Sequence, residues 1–183
     1  MSVLTVLKEP SSADSGKLIA AKLLRIMPKP LMKILIINPP QISEADFLIE
    51  RALNSRYWIY QPYGPGVLCR NLVSRGYETD ILDLNFEILF AAHKLKEKFN
   101  YGIWRDVLLR KLDEFKPSLV GISCMFTMTH SVMKEISDAI KVYNPKLPVI
   151  AGGVHLSNAT KLVLEDCPSI NFIGLYECDH SFP

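Results

Sequence analysis

At 183 residues, with 49% hydrophobic and 22% charged side chains, the chain has material for one globular domain with an appendage. That composition excludes disorder throughout. The net charge is +2, unevenly spread: residues 1–32 carry five basic and two acidic side chains, and residues 33–183 carry sixteen and seventeen. A nearly neutral body argues against a nucleic-acid surface.

The four cysteines, Cys69, Cys124, Cys167 and Cys178, show no CxxC or other close metal-ligand spacing. No disulfide framework is implied, so a reducing, cytoplasmic compartment is expected. No apolar run approaches the roughly 20 residues that span a bilayer. The N-terminus also lacks the continuous apolar segment of a signal peptide.

Residues 1–32 read as a basic leader outside the fold, with a loop over residues 10–16. Lys17 to Met27 is patterned as a short helix, apolar on one side and basic on the other, closed by Pro28 and Pro30. Packing on its own domain or a partner is the expectation. A membrane-surface contact is disfavoured, because eleven residues make a weak anchor.

The body, residues 33–183, begins with the apolar strand KILIIN, which opens into Asn38-Pro39-Pro40. Residues 41–60 give no periodic pattern. Tyr57, Trp58 and Tyr60 suit a loop tacked down by its rings, with a lid or a partner contact as the alternative. A helix is predicted over 67–75, with Gly76 just past its C-terminus. A strand over 79–83, a helix over 86–99 and a crossover helix over 103–115 follow.

Ser118–Ser123 is a short apolar run of the kind buried on both sheet faces, and Cys124 beyond it reads as inert core filler. Thr127 or Thr129 is the expected cap of the next helix. There Val132, Met133, Ile136, Ala139, Ile140 and Tyr143 recur at helical spacing. Asn144-Pro145 ends it. A strand over 147–151 runs into Gly152-Gly153. A helix from Ser157 or Asn158 to about Glu165 and a strand over 170–174 complete the pattern.

Five strands separated by helices predict an α/β fold with a doubly wound, open, parallel five-stranded sheet. It is Rossmann-like or flavodoxin-like, with strand order 2-1-3-4-5. Ligands of such sheets bind outside the carboxyl ends of the strands. Here those ends carry no G-x-G-x-x-G and no P-loop, and Asn38-Pro39-Pro40 removes two N–H donors a phosphate would use. A phospho-receiver would need acidic residues where Asn38 and Ser123 stand. A nucleophile elbow and HExxH are missing as well. His130 and Asp138 are expected to cap their helix or face water.

What remains is a site of small residues. Gly152 and Gly153 offer bare backbone to a flat or elongated group, or else simply make a tight strand-to-helix turn. Ser123 adds a hydroxyl without filling the space.

At these same positions the chain resembles the N-terminal cobalamin (B12)-binding domain of B12-dependent radical SAM proteins. The likeness spans residues 33–182. It comprises KILIINPP, PYGPGVLCRNLVSRGYETDILDLN, KPSLVGISCMFT, PVIAGGVH and INFIGLYECDHSF, in that order. The resemblance implies a corrinoid with its ring over the strand ends and its nucleotide tail along the sheet. Ser123, Gly152 and Gly153 would line the tail pocket, and Asn38, Pro39, Gly64, Thr127 and His155 would lie on the matching loops.

The D-x-H-x-x-G motif that supplies a cobalt-ligating histidine is replaced by Asp83-Leu84-Asn85-Phe86. The resemblance therefore implies cobalt without a protein histidine below it, and a pocket-edge or structural role for His155. No three cysteines have the C-x-x-x-C-x-x-C spacing of an iron–sulfur cluster. The closing turn departs from the family's pattern at residues 175–179. The expectation is a cobalamin-binding module, whether a fragment, a truncated gene product or a stand-alone carrier. It would place a corrinoid for methyl transfer or radical chemistry by a radical SAM catalytic domain or protein absent from this chain. The alternative is a degenerate fold acting as a protein–protein interaction module.

Overall fold

The computed structural model describes residues 5–7, 33–57, 59–176 and 178. Its strands are β1 (Thr5–Leu7), β2 (Lys33–Asn38), β3 (Glu78–Asp83), β4 (Leu119–Ser123), β5 (Val149–Gly152) and β6 (Phe172–Gly174). All pair in parallel, in the order β1-β6-β5-β4-β2-β3. The five strands read from the sequence thus occur in the expected 2-1-3-4-5 order. The addition is β1, a sixth strand on the β6 edge, formed within the stretch read as a leader. The possible helix over residues 17–27 and the side chain of Trp58 lie outside the described residues.

The helices are α1 (Ile49–Leu53), α2 (Tyr63–Ser74), α3 (Leu84–Leu95), α4 (Ile103–Phe115), α5 (His130–Tyr143), α6 (Val154–Asn158) and α7 (Thr160–Asp166). Alternation along the strands sorts the core into two layers. On one face Leu35, Ile37, Val120, Ile122, Val149, Ala151 and Ile173 pack against α3, α4, α5, α6 and α7 through residues such as Ile88, Trp104, Met133, Leu156 and Val163. On the other, Ile34, Ile36, Leu119, Ile150 and Phe172 meet only Leu68, Cys69 and Leu72 of α2, with Tyr77 just beyond it, among the described residues.

Several elements differ from the sequence expectation, three of them for local reasons. α2 starts at Tyr63 rather than Val67, because Pro65 falls in the first turn, where a missing N–H costs no hydrogen bond. Its end is as expected. Gly76, at φ +89°, donates to Val73 O, and Tyr77 donates to Leu72 O, the paired bonds of a Schellman stop. The single helix read over 157–165 is two, α6 and α7, broken at Ala159. Thr129 stands at the N-cap position of α5 as expected, but neither its side chain nor that of Thr127 makes a capping hydrogen bond. Both residues lie in a 3-10 turn in which the Thr129 hydroxyl donates to Phe126 O at 2.7 Å and lies 3.1 Å from Cys124 Sγ.

The 41–60 segment is held by its rings. Phe47 packs against Tyr57, Phe99 and Tyr101 at centroid distances of 5.3, 5.3 and 5.2 Å. The Tyr57 hydroxyl accepts from Leu48 N at 2.8 Å, and the Tyr101 hydroxyl donates to Ile42 O. Burial and neighbouring acidic groups push the Tyr101 phenol well above its ordinary range, so it stays a donor.

Candidate functional site

The site grows out of the thinly covered sheet face. On β4 the residues facing α2 are Leu119, Gly121 and Ser123. On β5 they are Ile150 and Gly152, and on β6 Phe172 and Gly174. Register aligns Ser123 with Gly152 and Gly152 with Gly174, so the last rung on this face carries almost no side chain. One rung inward, Ile36, Gly121 and Ile150 are partners, and again a glycine sits between two bulky neighbours.

The result is a groove of about 260 Å³ between these rungs and the start of α2, walled by Pro65, Leu68, Met125 and Tyr176. A second hollow, of about 480 Å³, lies over the ends of β2 and β4 between Asn38, Pro39, Tyr60, Tyr63 and Phe126. Gly64, Pro65, Ser123 and Met125 border both, so the two adjoin. Large apolar side chains stand exposed along the rim: Tyr63 is 82% exposed, Tyr176 63% and Met125 53%. Exposed apolar surface around a concavity is the signature of a ligand that completes it.

The glycine pair divides into two roles. A Cβ on Gly152 would meet only Gly174 O, at the ordinary contact distance of 3.7 Å, so its missing side chain keeps the groove open. Gly153 also borders the groove, but its φ is +122°, and a Cβ there would lie 2.4 Å from Cys124 O. Its glycine is required by the turn. The tight-turn reading is thus met at Gly153, while Gly152 leaves the floor of the groove bare.

Of the other residues singled out in the sequence, Asn38, Pro39 and Gly64 border the hollow. Asn38 Nδ2 donates to Asp83 Oδ1 at 2.9 Å, and the same carboxylate caps α3 by accepting from Phe86 N. Thr127 and His155 lie elsewhere. The His155 ring is buried, its Nδ1 3.2 Å from Thr127 Oγ1 and its Nε2 2.8 Å from His130 Nδ1. Burial, followed by the charge on His130, holds the His155 pKa below its usual value.

Sequence reasoning missed Gly121, Gly174, Met125 and Tyr176. The glycines were visible as breaks in SLVGIS and INFIG, but nothing in one sequence sets the register that aligns them. It also misplaced His130. Rather than capping α5 or facing water, this ring lies between His155 and Asp166, with Nε2 3.0 Å from Asp166 Oδ2.

A cobalamin fits this arrangement on an observation of the fold itself. A long, narrow group needs a floor without side chains beside a wider apolar mouth, and the groove and hollow provide that pair of shapes. The comparisons agree. A profile of the B12 binding domain matches residues 52–183. Cytidylyl-2-hydroxyethylphosphonate methyltransferase of Streptomyces wedmorensis is 27% identical over 124 residues, which are 66% of this chain and 23% of that enzyme. The solved structure of a novel cobalamin-binding protein from Desulfitobacterium hafniense DCB-2 superposes with a TM-score of 0.50 at 17% identity. It covers 91% of this chain and 65% of that one. The chain thus spans less than a quarter of the first relative and just under two thirds of the second.

Proposed function

We propose that this chain, which belongs to the B12 binding domain family, presents its cobalamin to a catalytic domain of the radical SAM type for methyl transfer. The observation that carries the reading is the open rung of Ser123, Gly152 and Gly174 beneath α2. The radical SAM assignment is supported by the order of the five resembling segments. Methyl transfer is supported by the name of the Streptomyces relative.

When bound, the corrinoid supplies a cobalt able to carry a methyl group, and the chain's contribution is to hold and shield it. Gly121, Gly152 and Gly174 would admit the nucleotide tail to the groove, and the Ser123 hydroxyl can donate to it or accept from it. Tyr63, Met125 and Tyr176 would offer apolar surface to the ring and shield it from water. His155 commits both ring nitrogens to Thr127 and His130, which agrees with a cofactor held without that imidazole on cobalt.

The test is retention. Protein mixed with hydroxocobalamin should carry the cofactor's visible absorption through gel filtration, and Ser123→Trp should elute colourless at an unchanged volume. A colourless wild-type peak, or a Ser123→Trp peak as strongly coloured as wild type, would overturn the reading.

A further inference from the structure

On the opposite sheet face from the groove, three ligand-type side chains converge from distant parts of the sequence. His130 opens α5, Asp166 closes α7, and Cys167 follows it with its side chain fully buried. His130 Nε2 is 3.0 Å from Asp166 Oδ2 and 3.9 Å from Cys167 Sγ, and one ligand atom from each residue lies within 4.8 Å of the others. We propose that His130, Asp166 and Cys167 form a binding site for a divalent transition-metal ion of the zinc type, separate from the corrinoid groove.

The donor set is one imidazole nitrogen, one carboxylate oxygen and one sulfur. That mixture suits a borderline-soft ion such as Zn(II) rather than magnesium or calcium, which prefer oxygen alone. Zinc ligands lie about 2.0–2.3 Å from the ion, so tetrahedral neighbours sit a little over 3 Å apart. The separations at His130 bracket that value. Three protein ligands leave a fourth position for water or for a group brought by a partner.

The arrangement also has the support that a metal-binding histidine needs behind it. A ligating imidazole is fixed when its other nitrogen is hydrogen-bonded. With Nε2 of His130 on the ion, its Nδ1–H donates to His155 Nε2, and His155 Nδ1–H then donates to Thr127 Oγ1. Both contacts are present, at 2.8 and 3.2 Å. His155 is thereby a positioning residue, and its burial gains a purpose that the groove does not supply. The nearby cation, Lys134, is directed elsewhere: its Nζ donates to Asp166 O at 2.7 Å and pairs with Asp138 at 3.7 Å.

The spacing of 36 and 37 residues between His130 and the other two hides the site from any motif search, since only the packing of α5 against the end of α7 assembles it. Its test needs no corrinoid. The chelator-treated full chain is titrated with Co(II) and followed for thiolate-to-cobalt charge-transfer absorption, then with Zn(II) in competition with a chromophoric chelator. One equivalent should bind, with a thiolate band. Cys167→Ser should abolish the band, and the surface change Asp166→Asn should weaken Zn(II) at least about tenfold with the fold intact by circular dichroism. His155→Phe should weaken it by a similar factor without removing the band. A band that persists in Cys167→Ser would place the metal on other thiols and overturn the proposal. Zn(II) affinity unchanged in Asp166→Asn would do the same.

Discussion

On one face of the sheet five helices close over a continuous apolar layer, in which Trp104, Leu108, Met133 and Ile136 are all but inaccessible. On the other, among the described residues, one helix covers five strand residues, and the rungs nearest the strand ends carry glycine at 121, 152 and 174 and only a small hydroxyl side chain at Ser123. The same strands supply both faces, so the contrast lies in which alternate positions are filled. The filled face stabilises the domain, and the emptied one leaves room for a cofactor. Residues of one dipeptide can even fall on different sides of this division, as Gly152 and Gly153 do.

Substitutions should reveal the contrast as a gradient in stability. Trp104→Ala, which would leave a cavity in the filled face, should cost about 3–5 kcal/mol, read as a large drop in the urea or thermal midpoint. Gly153→Ala should cost on the order of 3 kcal/mol, from a backbone conformation that disfavours side chains together with the clash on Cys124 O. A Gly153→Ala midpoint matching wild type would show that the turn is not what demands this glycine. Lys161→Ala breaks an exposed pair 3.9 Å from Glu165 on α7 and should change stability by less than about 0.5 kcal/mol in the same unfolding assay.

Much of the architecture was legible because it rests on local patterns. The apolar runs at 33–38 and 119–123, the helical spacing from Val132 to Tyr143 and the Gly76 stop each name their element without help from the rest of the chain. Ser123 and Gly152 were legible as candidates to border a cleft because both stand at strand ends that this topology brings together. Gly121 and Gly174 were not, since their role depends on inter-strand register. β1 was missed because three residues in a basic, Pro- and Ser-containing stretch give no periodic signal. His130 was misread because helix position alone says nothing of the neighbour at Asp166.

The central claim is that the emptied rungs hold the cofactor's tail, and Gly152 tests it most directly because its Cβ has free space in the fold. Equilibrium dialysis of hydroxocobalamin against wild type and Gly152→Leu, with both midpoints measured in parallel, separates occupancy of the groove from damage to the fold. The account predicts binding weakened at least about tenfold, a difference of roughly 1.4 kcal/mol, with a midpoint close to wild type. Equal affinity in a Gly152→Leu protein of unchanged stability would contradict it.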